Sequence, residues 1–345
     1  MKKLMSMILL IILVFNLAAC ASETEPAAPA PAVAVSETDP LADLKEVTLS
    51  LNHVGAVDHP YHEGSLKFAE LVAEKSNGKV MVDIFPASQI ASGSKAIEFV
   101  QLGTLDIALE STMALSNFVK EVGVLDLPFI FDSKEEAFKI LDGEFGQHIA
   151  SLAEAKGFKI LGWWDNGFRT MSNSVRPITS PEDLKGLKIR VPESKIFIST
   201  FQGIGAVPSP MAVSEVFTAL QLGTVDGQEN TEANFYKNKY YEVNDFYSVT
   251  NHIYTAEPLV MSLDKFNSFP PAVQELLMAA GKEAGDYQRQ VSLKLDEDLL
   301  TLIKDTGVTV NKLEDPAAFK EAVKPVYAEF EADFGELLKK LEDAR

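Results

Sequence analysis

The 345-residue sequence predicts two α/β domains on either side of a ligand cleft, braced by a long helix near the C-terminus. Residues 47–110 alternate between strand and helix patterns, which is typical of a mostly parallel sheet with helices on its faces. The hexapeptide at residues 101–106 recurs at residues 221–226 with five of six identities, each time after an amphipathic helix. Apolar residues at three- and four-residue steps over residues 276–303 predict the long helix.

The first domain is predicted to open with three strands and two helices. These are a strand at 47–51, a helix from about residue 61 to a stop at 77–78, a strand at 80–85, a helix at 94–102 and a strand at 105–110. The repeated hexapeptide contains a glycine that a simple helix stop explains without a second domain. Its five identities favour two similar domains that place equivalent turns on opposite walls of one cleft.

Residues 184–192 place one arginine at the carboxyl end of a short, apolar strand. Ser180 can cap a preceding helix that has Pro181 at its first position and ends at Gly186. In open α/β sheets, ligands bind at this end of the strands. A buried arginine needs an anionic partner, and no acidic residue adjoins Arg190 in the sequence. Arg190 is therefore the first candidate for binding an anion.

The domains are predicted to exchange segments. Domain I takes residues 44–166 and 255–290, and domain II takes residues 167–254 and 291–345. The hinge is expected near residues 164–167 and 253–256. The chain is predicted to end with the long helix up to Gly307, a strand at 308–313 and a helix from about residue 316.

The N-terminus indicates export. Residues 1–19 combine two lysines with an apolar run, as a signal peptide does, and residues 17–20 form a Leu-Ala-Ala-Cys tetrad that resembles the bacterial lipobox. Cys20, the only cysteine, is then the lipid-anchored first residue of the mature chain. A plain signal peptide or an uncleaved anchor is the alternative. Residues 20–43, rich in proline and alanine, are predicted to be a linker.

The formal net charge of -19 argues against nucleic acid as a partner. The motifs of serine hydrolases, zinc proteases and nucleotide-binding folds are missing, so no enzyme activity, cofactor or metal is predicted. His53, His59 and His62 have a spacing that a metal site can use, but polar residues are also common in loops. Asp226 and Glu229 resemble an acid/base pair, yet the turn before them explains both structurally.

Four groups suit binding a carboxylate. Arg190 and Arg169 offer a planar fork that matches its two oxygens. Asn230 lies in the Asp-Gly-Gln-Glu-Asn run at residues 226–230, and Asn52 follows the first predicted strand. Arg169 comes just after a predicted strand at 159–163, and a structural ion pair with an acidic residue is its alternative role. Trp163 and Trp164 are expected in the core rather than under a ligand.

These stretches also resemble a known family. Residues 184–192, 207–221 and 225–230 resemble, in that order, motifs of the substrate-binding proteins of TRAP transporters, the DctP-like family. The resemblance implies a periplasmic-binding-protein-like fold that closes on an organic acid and hands it to a sodium-driven membrane permease. It also implies that Arg190 makes the main carboxylate contact, with Arg169 and Asn230 beside it. A lipid anchor would hold the protein on the outer face of the cytoplasmic membrane.

Asn52 and Glu110 resemble positions of the sialic-acid-binding branch of that family. The chain departs from the branch at Val213, where an aromatic residue is usual, and lacks an acidic residue near Ser92. A smaller acid, such as a C4-dicarboxylate, a 2-oxo acid or a uronate, is at least as well supported. A binding protein that feeds a sensor, or an exported enzyme, is the alternative function.

Overall fold

The computed structural model describes residues 41, 44–313 and 315–345, so the predicted signal peptide, Cys20 and most of the linker lie outside the described residues. The strands of the described part are β1 Val47–His53, β2 Val80–Phe85, β3 Ile107–Leu109, β4 Phe158–Asn173, β5 Lys188–Val191, β6 Val207–Pro210, β7 Gly227–Thr231, β8 Phe246–Ser262 and β9 Thr309–Lys312. Its helices are α1 Pro60–Lys75, α2 Ser94–Gln101, α3 Thr112–Leu115, α4 Lys134–Asp142, α5 Glu144–Glu154, α6 Lys195–Gly203, α7 Val216–Gln221, α8 Glu232–Lys237, α9 Leu263–Asn267, α10 Pro271–Asp305, α11 Ala317–Ala322 and α12 Lys324–Ala344.

One sheet runs through the described residues in the order β2-β1-β3-β8-β4-β7-β5-β6, and β9 pairs with β8. Strand β1 is parallel to β2 and β3, and β5 is parallel to β6 and β7. Strand β8 is antiparallel to β3 and β4, and β4 is antiparallel to β7. The sheet as a whole is therefore mixed rather than mostly parallel. The two predicted α/β units are its two ends, joined by β4 and β8.

Two local predictions are wrong. The strand predicted at 159–163 continues to Asn173, so Arg169 lies inside a strand and does not follow one. Polar residues that suggest a loop, such as Asp165 and Asn166, are buried there, where β8 pairs with β4. Lys134, Tyr254 and Ser292 donate hydrogen bonds to the Asp165 carboxylate. The helix predicted after Ser180 is a single 3-10 turn, Pro181–Leu184, although the capping box forms.

The long helix near the C-terminus is present as α10, which contacts α1 and β4 and also α8 and β9. It lies close to β4, since a Cβ at Gly162 would come within 2.6 Å of the Gly281 carbonyl oxygen. The indole Nε1 of Trp164 donates a hydrogen bond to that same oxygen at 3.1 Å. Trp163 and Trp164 are both buried, which confirms their core position. No helix of the described residues combines the length and apolar character that crossing a membrane requires.

Candidate functional site

A small cavity lies between the two ends of the sheet, where side chains from β4, β5, β7 and β8 and from the residues after β3 meet. It offers about 60 Å³ to the centres of water-sized molecules. At about 10–15 Å³ for each water, this is room for several waters or one small organic molecule. Four of the predicted binding residues line it, namely Arg190, Arg169, Asn230 and Glu110.

Arg190 is a buried cation without a carboxylate partner. Its side chain is 3% exposed, and its Nε and Nη2 donate hydrogen bonds to the Met211 carbonyl oxygen at 3.1 and 2.7 Å. Among the described residues, no Asp or Glu oxygen lies within the 4.0 Å of a salt bridge. Burial lowers the pKa of Arg190 to about 10, so the group stays charged at neutral pH. The cavity thus holds an unneutralised positive charge.

Arg169 forms the structural ion pair that the sequence left open. Its Nε and Nη2 donate to the two carboxylate oxygens of Glu229 at 2.5 and 2.8 Å, and Nη2 also reaches the Glu229 carbonyl oxygen at 3.0 Å. Burial alone would raise the pKa of Glu229, but the charge and hydrogen bonds of Arg169 outweigh it and hold that pKa at about 2. This bidentate contact leaves only Nη1 of Arg169 without a hydrogen bond to the described residues.

The two asparagines differ in position. Asn230 lies in β7 beside Arg169, and its Oδ1 accepts a hydrogen bond from the Thr231 N–H at 3.0 Å. Asn52 is fully buried away from the cavity lining. Its amide donates to the Ala91 carbonyl at 2.9 Å and accepts from the Ile90 N–H at 3.1 Å. Asn52 therefore fixes the loop that leads to Gly93, which does line the cavity.

Acidic side chains line the cavity beside β3 and β8. Glu110 follows β3, and its Oε1 accepts a hydrogen bond from the Gly93 N–H at 3.1 Å. Burial raises the pKa of Glu110 well above its usual range and that of Glu257, in β8, to about 8. The carboxyl group of Glu257 is therefore mostly protonated at neutral pH, and the same cause favours the protonated form of Glu110.

Sequence reasoning missed Glu257 and Tyr61. The Oε2 of Glu257 and the hydroxyl of Tyr61 are buried close to each other in the lining, and neither makes a well-formed hydrogen bond to the described residues. One signal was available for Glu257, because it is the only charged side chain in the mostly apolar residues 253–262. Tyr61 gave no signal, since it reads as the start of an amphipathic helix.

The remaining candidates have local structural partners. Asp226 accepts a hydrogen bond from the Lys188 N–H at 2.8 Å, which stabilises the turn before β7. The Nδ1 of His59 caps α1 by accepting from the Tyr61 N–H, and the rings of His53 and His62 approach to 3.2 Å. In the described part of the chain, no group of three His, Cys, Asp or Glu side chains is placed to hold a metal ion.

Comparison with known proteins gives consistent similarities. Residues 51–333 match the model of DctP, described as bacterial extracellular solute-binding protein, family 7. The C4-dicarboxylate-binding periplasmic protein DctP of Rhodobacter capsulatus is 36% identical over 293 residues, which are 84% of this chain and 88% of that protein.

Solved structures are similar throughout the folded part. The crystal structure of a TRAP periplasmic solute-binding protein from Polaromonas sp. JS666, bound to D-erythronate, has a TM-score of 0.84 and 36% identity, and covers 86% of this chain and 98% of that chain. The corresponding protein from Sulfurospirillum deleyianum, with bound succinate, has a TM-score of 0.82 and 35% identity, and covers 87% and 100% of the two chains.

Proposed function

Because this chain belongs to bacterial extracellular solute-binding protein family 7, we propose that it captures an organic acid outside the cytoplasm and delivers it to the sodium-coupled permease of a TRAP transporter. The relatives support an organic acid, since C4-dicarboxylate, D-erythronate and succinate appear in the names of three of them. The sequence motifs support the same partner and the same class of ligand.

The unneutralised charge of Arg190 is the observation that carries this proposal. A buried guanidinium without an anion is unfavourable, and a carboxylate that binds it gains charge-assisted hydrogen bonds. The contact with Met211 leaves Nη1 of Arg190 without a hydrogen bond to the described residues. That nitrogen is available to a ligand carboxylate. Nη1 of Arg169 and the Nδ2 of Asn230 have no such bond either, and we assign them to the same carboxylate.

Closure of the cleft is part of the proposed function. Strands β4 and β8 pair with a register shift between Asp165 and Gly167, and Gly167 adopts a φ of 112° that favours glycine. Asn166, the residue at this irregularity, lines the cavity. A β-bulge bends a strand locally and interrupts regular pairing. This supports a hinge at residues 164–167, next to the ligand.

Anchoring rests on the sequence alone. The Leu-Ala-Ala-Cys tetrad at residues 17–20 supports export, lipid attachment at Cys20 and a position on the outer face of the cytoplasmic membrane. The Pro- and Ala-rich residues 21–43 would tether the receptor close to its permease.

A thermal-shift screen of the full-length protein against organic acids tests the proposed function. A ligand at about 100 times its dissociation constant stabilises a protein by about 2.7 kcal/mol. We expect at least one carboxylic acid to raise the melting temperature, and the corresponding amide or alcohol to have no effect. Stabilisation by neutral sugars or amines, with none by any acid, would contradict the proposal.

A further inference from the structure

We propose that the ligand of this cavity is a monocarboxylic acid that carries hydroxyl groups, and that Tyr61, Glu110 and Glu257 bind those hydroxyl groups. The inference rests on the proposed function, because it refines the ligand of the same cavity. It distinguishes a hydroxylated monocarboxylic acid from a dicarboxylic acid. The relatives leave this choice open, since one solved neighbour holds D-erythronate and another holds succinate.

The cavity offers charge for one carboxylate only. Its lining contains two arginines and no lysine. Glu229 neutralises Arg169 through two hydrogen bonds, so one positive charge remains, on Arg190. A second ligand carboxylate would lose its hydration without meeting a free cation, which is unfavourable. It would also meet Glu193, an exposed acidic residue of the lining.

The acidic side chains and Arg190 come from opposite sides of the central strand β4. In the strand order, β3 and β8 lie on one side of β4, and β7 and β5 lie on the other. Glu110 follows β3 and is joined to β8 by a hydrogen bond from its N–H to the Pro258 carbonyl at 3.4 Å. Glu257 precedes that proline in β8. A ligand whose carboxylate binds Arg190 therefore extends its other end toward Glu110 and Glu257.

The polar atoms on that side still need hydrogen-bond partners. The Tyr61 hydroxyl and the Glu257 Oε2 are buried close to each other, and neither makes a well-formed hydrogen bond to the described residues. Buried polar groups without a partner are rare and unfavourable in folded proteins. Burial raises the pKa of both carboxyl groups, that of Glu257 to about 8, and a protonated carboxyl group can donate as well as accept. A ligand hydroxyl, which also donates and accepts, satisfies such groups, and an alkyl chain does not.

Matched acids test the inference by calorimetry on the full-length protein. D-Erythronate and meso-tartrate differ only at one terminal carbon, which is an alcohol in the first and a second carboxylate in the other. D-Gluconate and D-glucarate form the same comparison with a longer chain. Butyrate supplies a carboxylate without hydroxyl groups. We expect one of the monoacids to bind at least about tenfold tighter than its diacid and than butyrate, which is about 1.4 kcal/mol.

Three results overturn the inference in different ways. If meso-tartrate, D-glucarate or succinate binds as tightly as the best monoacid, the cavity takes a dicarboxylate, and the proposed function stands. If butyrate equals D-erythronate, the hydroxyl contacts are absent. If a folded protein binds no acid at all, both the inference and the proposed function fail.

Two tyrosine variants test whether the Tyr61 hydroxyl contacts the ligand in the cavity. Tyr61→Phe removes one buried hydroxyl from the lining, and Tyr247→Phe removes a buried hydroxyl that also lacks a partner but lies outside the lining. We expect Tyr61→Phe to weaken binding of the preferred monoacid by about threefold to tenfold. The ratio of its affinity to that of butyrate should fall as well. Tyr247→Phe should leave both unchanged. Equal binding by Tyr61→Phe and the parent would contradict the assignment.

Discussion

Arg169 and Glu229 form a buried bidentate ion pair, with nitrogen-to-oxygen distances of 2.5 and 2.8 Å between side chains that are 60 positions apart in the chain. Both side chains are almost fully buried. The pair uses the carboxylate nearest to the two arginines, and Arg190 is left for an exogenous anion. The two arginines therefore differ in role because Glu229 neutralises Arg169 and leaves Arg190 charged.

Arg190 should carry the largest single share of ligand affinity. A charge-assisted hydrogen bond contributes about 1.5 to 3 kcal/mol, so Arg190→Ala should weaken binding of the acid by roughly tenfold to a hundredfold. Arg190→Lys keeps the charge but loses the planar fork and should stay clearly weaker than the parent. Calorimetry with the tightest acid of the screen measures both.

The matched control for this prediction is Arg176→Ala. The Arg176 guanidinium also donates to backbone carbonyls, those of Asp183 and Lys185, but lies outside the cavity lining. It should bind the acid normally. Binding by Arg190→Ala within about twofold of the parent, a difference near 0.4 kcal/mol, would make Arg190 a structural residue.

Glu229→Gln should destabilise the fold. It leaves the buried charge of Arg169 uncompensated, and breaking a buried pair in this way costs about 3–5 kcal/mol. Urea unfolding should show a lower midpoint with an unchanged slope. The control is Glu336→Gln, which breaks an exposed pair with Lys339 and should leave the midpoint unchanged. Equal midpoints for both variants would mean that the Arg169 pair contributes no net stability.

Glu257 should make stability depend on pH. Its folded pKa of about 8 lies above the usual value of 4.5, so its contribution is fully present below about pH 4.5 and is lost as the pH rises toward 8. Glu257→Gln removes the titrating group, so this loss of stability with rising pH should disappear. Relative to the parent, the variant should gain up to about 1.4 kcal/mol of unfolding free energy per pH unit between about pH 5 and 8.

Urea unfolding at several pH values measures that difference. Glu275→Gln, at an exposed position of α10, is the control and should run parallel to the parent. The same parallel behaviour in Glu257→Gln would show that Glu257 titrates normally in the folded protein.

Ligand should close the cleft about the irregular pairing at residues 164–167 and 253–256. Small-angle scattering of the full-length protein should give a smaller radius of gyration with a saturating acid than without it. Arg190→Ala at the same acid concentration should keep the larger value, which separates closure from a general effect of the solute. An unchanged radius in a protein shown to bind would contradict a hinged cleft.

Cys20→Ser should release the protein from the membrane fraction, because serine cannot carry the thioether-linked lipid. Mass spectrometry of the parent should show a lipid-modified residue 20 as the mature N-terminus. The neighbouring substitution Ser22→Ala changes the linker without touching the modified residue and should leave the protein with the membranes. Equal sedimentation of Cys20→Ser and the parent would exclude this anchor.

Features that depend on neighbouring residues could be predicted from the amino-acid sequence alone. Proline and glycine placed both ends of helix α10, the strand pattern gave the bounds of β2, and the 184–192 motif put Arg190 at the carboxyl end of β5. These signals are local, since they reflect backbone dihedral preferences and the period of apolar residues. Arg190 could therefore be chosen as a binding residue before its surroundings were known.

The pairing of the buried charges depends on the tertiary structure. Strand pairing brings Glu229 against Arg169, and the position of α1 and β8 brings Tyr61 and Glu257 to the same cavity. Sequence spacing carries no information on such pairs, because strand order depends on how the whole chain packs. The state of a buried carboxyl group depends on that packing too, since loss of water and the nearest charge set its pKa.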